Sequence, residues 1–317
     1  PITVVYRSDV AAVLQIPEAE SCGFSCVLVV HSPVETEVAV VYDTVDGEKA
    51  YPLCKIPADP GCNEIQVYTL EGQESIGNIR YFKERYLEET PVFDAKIPSD
   101  EVIDIIIPIY NGLQYFDKLF AGIEKTKMKY RLILVDDQSP DPAVREYLER
   151  YVAEHEGTVL LRNEKNMGFL PSVNRALAIA EHHVALVNTD VEVPEGWLER
   201  LMWPIFTKEK VASSTPFTTC GTICSFPNFC EDNVIFEGMP LWQIDDAFRQ
   251  IRPQYATMPT GIGFCMGMNL EAIREVGLLD EENFDKGYGE ENDWCQRAIQ
   301  AGYTNVQVEN LFVYHKH

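Results

Sequence analysis

From Val102 onward the sequence alternates short apolar runs with stretches of helical periodicity, and that alternation leaves few folds open. Residues 102–109 form a continuous apolar run, as a strand buried on both faces requires. Residues 115–126 place their apolar side chains at helical spacing, and 130–135 form a second buried run. A charged amphipathic helix is predicted over 142–156, a third strand over 158–162, a helix over 170–180 and a fourth strand over 184–187. Strands alternating with helices imply right-handed βαβ units and a largely parallel sheet with helices on both faces. Three of the four strands stop on polar clusters: Tyr110-Asn111, Asp136-Asp137 and Asn188-Thr189-Asp190. In a parallel sheet these clusters share the carboxyl edge, where open α/β sheets bind ligands. Taken singly, Asn188 and Asp190 could cap the turn before Pro194 and a helix starting near Glu195. Three clusters on one rim read as a site. Oxygen ligands there suit a hard divalent cation, which neutralises phosphate charge.

The first 98 residues have another character. Short β-branched or alternating runs at 2–6, 26–31, 37–42, 50–53 and 64–69 are separated by turn clusters S-P-V-E, D-G-E-K and P-A-D-P-G. They predict a small, sandwich-like all-β accessory domain over 1–98, without a catalytic constellation and with His31 as a structural residue. It could bind carbohydrate, mediate assembly or cover an edge of the second domain. An acidic, proline-bearing linker at 88–100 leads into the α/β domain, 99–317.

Composition removes several classes of function. The 50 acidic residues outnumber 26 Lys and Arg, for a net charge of −24, so no basic surface for nucleic acid or for a polybasic membrane contact is expected. No apolar run approaches the roughly 20 residues of a spanning helix. The start, P-I-T-V-V-Y-R-S-D-V, lacks the basic and long apolar regions of a signal peptide. The expected location is cytoplasmic, with any peripheral attachment to the inner membrane face made by parts outside this chain. Nine cysteines cannot all pair with one another and are expected as reduced thiols. The C-x3-C pairs Cys22/Cys26 and Cys220/Cys224 lack zinc-ribbon spacing and read as buried or incidental. Neither a Walker lysine motif nor G-x-G-x-x-G follows the first strand, which points to a donor whose phosphates are held by a metal.

Five segments then occur in a characteristic order: D-I-I-I-P-I-Y-N-G (104–112), L-I-L-V-D-D-Q-S-P-D (132–141), N-E-K-N-M-G-F (163–169), L-V-N-T-D-V-E-V-P-E-G-W-L (186–198) and G-Y-G-E-E-N-D-W-C-Q-R-A (287–298). Together they resemble the family 2 inverting glycosyltransferases of GT-A fold, particularly bacterial enzymes that extend surface polysaccharides. The resemblance covers about residues 100–317. It implies a GT-A, Rossmann-like catalytic domain, a UDP- or dTDP-sugar donor, a glycan acceptor, free or lipid-linked, and Mn2+ or Mg2+ as cofactor. It places Pro108, Tyr110 and Asn111 beside the nucleotide, and Asp137, neighboured by Asp136, on a uracil or thymine ring N–H. Asn166 and Gly168 fall in the loop closing over the nucleoside. Asn188-Thr189-Asp190 stands at the D-x-D position, with Asp190 as metal ligand and Asn188 where the family has its first aspartate; strand alternation turns Glu192 aside.

On the acceptor side, the glycine-rich segment 259–267 resembles the one that passes under the donor sugar, with Gly263 and Met266 as sugar-binding positions; a flexible, bulged strand is the plainer reading. Glu290-Glu291 matches the family's E-D motif, at the start of a helix running to residue 301. Inversion is a single displacement that needs one general base opposite the leaving nucleotide. Glu291 is the expected base, with Glu290 and Asp293 orienting sugar hydroxyls and Trp294 packing on a sugar face. Helical spacing sets Glu290 and Asp293 on one side and Glu291 on another, so which carboxylate faces the acceptor stays open. His315 matches the family's metal-binding histidine, and the family's usual further C-terminal helices imply that the natural chain continues. A degenerate sugar-nucleotide or glycan-binding module is the second reading, suggested by Asn188 and by glutamate at the base position. A nucleotidyltransferase is a third, and G-L-Q-Y-F-D-K is not its lysine-bearing signature.

Overall fold

In the computed structural model the described residues are 100–316, apart from 234, 235, 237, 252 and 285–288, together with the backbone of six strands before residue 100. The chain divides into two units, Pro1–Tyr81 and Phe82–His317. In the first, β1 (Thr3–Val5) pairs with β2 (Gly23–Ser25), β3 (Leu28–His31) with β6 (Gln66–Thr69), and β4 (Thr36–Thr44) with β5 (Gly47–Ile56), all antiparallel. Each of the five expected runs overlaps one of these strands, and β2 alone among the six falls outside them. The expected linker and the cysteine pair Cys22/Cys26 lie outside the described residues, save that the strand β2 ends just before Cys26.

The second unit begins with β7 (Val102–Ile109), α1 (Leu113–Glu124), β8 (Lys129–Asp136), α2 (Pro142–Glu154), β9 (Val159–Arg162), α3 (Phe169–Leu177) and β10 (His183–Val187). These are the elements the periodicity predicts, within a few residues. The chain continues through β11 (Val191–Glu192), α4 (Trp197–Thr207), β12 (Val211–Phe217), α5 (Leu241–Phe248), β13 (Tyr255–Met258) and β14 (Cys265–Met268). It ends with α6 (Leu270–Val276), α7 (Glu290–Gln300), β15 (Thr304–Phe312) and β16 (Tyr314–His315).

Eight strands form one sheet in the order β13-β15-β12-β14-β10-β7-β8-β9. Parallel pairing joins β9, β8, β7 and β10, and again β12 and β15, whereas β14 runs antiparallel to β10 and β12, and β13 to β15. Both faces are covered, so β7 must be apolar on both. Ile103, Ile105, Ile107 and Ile109 pack with Phe116, Leu148 and Trp197 under α1, α2 and α4, while Ile106 packs with Leu170, Val173 and Trp294 under α3 and α7. Asp104 breaks this apolar run yet is fully buried, because Arg131 grips it through two 2.8 Å bonds and the amides of Glu181 and His182 donate to it. That arrangement anchors the entry to β10. The helix α2 starts where Asp141 accepts from the Ala143 amide at 2.9 Å, with Pro142 in its first turn.

Candidate active site at the carboxyl rim of the sheet

At the end of β7 the backbone turns left-handed at Asn111 (φ 59°) and Gly112 (φ 79°), and the Asn111 amide donates to Ser139 Oγ at 2.9 Å. This turn leaves Tyr110 53% exposed at the rim. Below it lies a cavity of about 260 Å³ whose lining includes Pro108, Tyr110, Asp137, Asn166, Gly168 and Ser172. Five of the expected nucleotide-side residues therefore share one cavity. Asp136 is not among its lining residues: its Oδ1 accepts from the Ser139 amide at 3.0 Å and shapes the turn that supports Asn111.

Asp137 is buried and builds the cavity wall. Its Oδ1 accepts from Asn163 Nδ2 (2.7 Å) and the Met167 amide (2.8 Å), and its Oδ2 from the Gly168 amide (2.8 Å). A carboxylate has about four acceptor sites, so one position on Oδ2 is left for a ligand N–H. Asn163 was not singled out from the sequence, yet it ties the wall together by also donating to Ser172 Oγ at 2.9 Å and accepting from Arg175 at 2.8 Å. Its place at the start of N-E-K-N-M-G was the signal available.

At the end of β10, the Asn188 amide donates to the Phe264 carbonyl at 2.9 Å, while the side-chain Oδ1 of Asn188 is buried without a hydrogen-bond partner. Two residues on, Asp190 Oδ1 lies 3.5 Å from His315 Nε2. The short antiparallel pair β11–β16, with Val191 opposite His315, and a bond from the Lys316 amide to the Asp190 carbonyl (3.0 Å) bring these distant residues together. His315 Nδ1 sits 3.1 Å from the Cys220 carbonyl. A carbonyl only accepts, so Nδ1 carries a proton, and Nε2 is the ring atom that faces Asp190. The ring stacks on Phe264 with centroids 5.0 Å apart. Glu192 takes no part, since Lys118 (3.3 Å) and Lys316 (3.4 Å) hold it.

One carboxylate and one imidazole suit a Mn2+- or Mg2+-like ion that takes its remaining ligands from a diphosphate and water. Among the described residues no group of three or more His, Cys, Asp or Glu side chains is placed to hold a metal by itself.

The acceptor-side carboxylates separate sharply. Glu291 Oε1 accepts from the Gly263 amide at 3.2 Å, and burial pushes its carboxyl up from the ordinary glutamate range, opposed by that backbone bond. A Cβ on Gly263 would lie 2.7 Å from Glu291 Oε1, so the close approach needs glycine. Glu290 opens α7 and is buried, whereas Glu291 is half-buried. Three further residues expected on the sugar side have these surroundings. Asp293 is ion-paired to Arg297 at 2.8 Å, and that guanidinium donates to the carbonyls of Val276 and Leu278. Trp294 is 0% exposed, and its indole N–H donates to the Gly277 carbonyl at 2.9 Å. Met266 lies in the same apolar layer as Trp294. Trp294 and Met266 are thus core residues without an exposed face for a sugar, while Asp293 is half-buried in its ion pair. The buried positions 294, 295 and 298 form a core stripe, a spacing that the acidic residues before it obscured.

A family model described as "Glycosyl transferase family 2" matches residues 104–277. N-acetylgalactosaminyltransferase 7 of Drosophila melanogaster is 26% identical over 239 residues, 68% of this chain and 40% of that protein. Polypeptide N-acetylgalactosaminyltransferase 18 of Mus musculus is 26% identical over 225 residues, 62% of this chain and 33% of that protein. The chain thus spans well under half the length of these relatives. A crystal structure of GalNAc-T7 with UDP, GalNAc and Mn2+ superposes with a TM-score of 0.55 at 17% identity, covering 78% of this chain and 53% of the other, which shows a shared fold.

Proposed function

The chain belongs to glycosyl transferase family 2, and on that premise we propose that it is an inverting glycosyltransferase that moves a sugar from a UDP- or dTDP-sugar to a hydroxyl of a glycan. The observation that carries this reading is one unbroken series of contacts along the rim. Glu291 meets Gly263, the next residue Phe264 stacks on His315 and bonds to Asn188, and His315 faces Asp190. The candidate base and the candidate metal ligands are thus fixed to two consecutive residues. In the reaction proposed, the Tyr110–Asp137–Gly168 cavity holds the nucleoside, with the free acceptor position of Asp137 Oδ2 facing a ring N–H. Asp190 and His315 would hold a divalent cation, which would supply positive charge to the diphosphate. Glu291 takes the proton of the acceptor hydroxyl as the acceptor oxygen bonds to the anomeric carbon and the carbon–oxygen bond to the diphosphate breaks. A half-buried carboxylate with a raised pKa suits that role near neutral pH. The relatives' names make an N-acetylgalactosamine donor the first to test, and a surface-polysaccharide acceptor is the companion proposal. Among the described residues no helix is long and apolar enough to cross a membrane; a cytoplasmic site of action is proposed with the rest.

The test is turnover of a nucleotide-sugar panel with Mn2+ by the parent, Asp190→Ala and Glu291→Gln. Asp190→Ala is expected to weaken donor binding and its cation dependence. Glu291→Gln is expected to bind donor normally and to lose about 10²–10⁴-fold in rate. A binding module turns over nothing, and equal activity in all three proteins contradicts the site.

A further inference from the structure

The glycine-rich segment 259–263 is stitched to α7 at three points. Gln296 Nε2 donates to the Pro259 carbonyl (2.8 Å), the Gly261 amide to Cys295 Sγ (3.1 Å) and the Gly263 amide to Glu291 Oε1 (3.2 Å). The amide between them, Ile262, turns the other way and donates to Thr215 Oγ1 on β12 at 3.3 Å. Glu291 and Cys295 are four residues apart, one turn along the same face of α7. Their side chains therefore receive alternate amides of one loop.

Cys295 is itself held in a defined orientation. Ser213 Oγ spends its single hydrogen on Asn305 Oδ1 at 2.8 Å, so in the 3.9 Å contact between Ser213 and Cys295 the thiol is the donor. That leaves a sulfur lone pair for the Gly261 amide. The loop runs close against its neighbours here, since a Cβ on Gly261 would lie 2.8 Å from Met266 Cε and 2.9 Å from Ser213 Oγ. No residue of 259–263 ionises, and the amides from β12 and the loop bring no charge. Among the described residues, the titratable neighbours of Glu291 along its own helix are Glu290, Asp293 and Cys295, and Asp293 is ion-paired with Arg297.

We propose that Cys295 is a positioning residue for transfer: by fixing Gly261 it sets the register of the segment that presents the Gly263 N–H to Glu291, and so holds the base in place and in its ionised form. This rests on the reading of Glu291 as the base. A buried thiol used this way is neither a metal ligand nor a nucleophile, and burial holds it protonated by pushing its pKa up.

The test follows the Gly263 amide by ¹⁵N–¹H NMR as pH is varied, which needs no substrate. In the parent this amide titrates with Glu291, and in Glu291→Gln the titration vanishes. Cys295→Val and Cys295→Ala remove the acceptor, the first while filling the volume; both are expected to move the Gly263 resonance and shift its midpoint to higher pH. Cys295→Ser keeps an acceptor and restores the parent's behaviour. A merely structural cysteine predicts the reverse, a Gly263 titration that Cys295→Val leaves untouched, and that result overturns the inference. The base reading is judged separately by turnover of UDP-N-acetylgalactosamine. If Glu291→Gln is inactive while the Cys295 variants leave Gly263 unchanged, only the role of Cys295 falls. A fully active Glu291→Gln removes the base and the positioning role together.

Discussion

Glu291 is maintained at a thermodynamic cost that its proposed role explains. Its folded pKa lies above the ordinary 4.5 because burial penalises the anion. Between 4.5 and that raised value the native state binds more protons than the unfolded chain, so this group's contribution to stability falls as pH rises through the window. Glu291→Gln, which keeps an acceptor for the Gly263 amide, is therefore expected to melt above the parent at pH 7.5 and to lose that advantage below pH 4.5. Calorimetric melts at the two pH values check it, and a variant less stable than the parent at pH 7.5 contradicts it. His183 works in the opposite sense. Its Nδ1 accepts from the Leu270 amide at 3.0 Å, and burial holds its pKa below 6.5. The stability it contributes is complete above pH 6.5 and falls as pH drops through the window below it. A His183→Asn protein, keeping an acceptor that does not titrate, should show a shallower loss of melting temperature between pH 7 and pH 5.5.

At the scale of elements, the strand ends made the cavity at the carboxyl rim legible. Apolar runs buried on both faces announce themselves, and the polar residues that stop them fall on one rim by topology alone. What could not be read was the half of the sheet built from β12 and β14. Ser213, Ser214 and Thr215 are fully buried, satisfied by Asn305, the Leu201 carbonyl and the Ile262 amide, so β12 lacks the apolar signature of a core strand. In the acceptor motif, Asp293 and Trp294 stand beside the two glutamates in sequence but contact the 276–278 segment and the core. Asn163 shows in the sequence only through its place in N-E-K-N-M-G, since its importance lies in three tertiary partners. Asn163→Ala leaves an oxygen of buried Asp137 short of a donor and should cost about 1–3 kcal/mol of stability. It should also weaken nucleotide binding, as the Met167 and Gly168 amides lose their fixed acceptor. Urea unfolding and nucleotide titration of one preparation measure both, and unchanged binding separates Asn163 from the cavity wall.

For the whole molecule, the described lining of the Tyr110–Asp137–Gly168 cavity belongs to the second unit, while the first is described only through its paired strands. We propose that residues 1–98 are a separable β domain without a part in the chemistry, so a chain starting at Ser99 should fold and bind nucleotide as the full chain does. Loss of binding by a folded truncation would show that the first unit completes the site. We propose that the rim from Tyr110 to His315 is a metal-assisted nucleoside diphosphate site, and calorimetric titration of UDP and dTDP with and without Mn2+, on the parent and on Asp190→Ala, measures this. The parent is expected to bind with an affinity that Mn2+ tightens, and Asp190→Ala to keep a residual, cation-independent affinity. Absence of binding by either nucleotide at millimolar concentration, or a Mn2+ effect undiminished in Asp190→Ala, would contradict it.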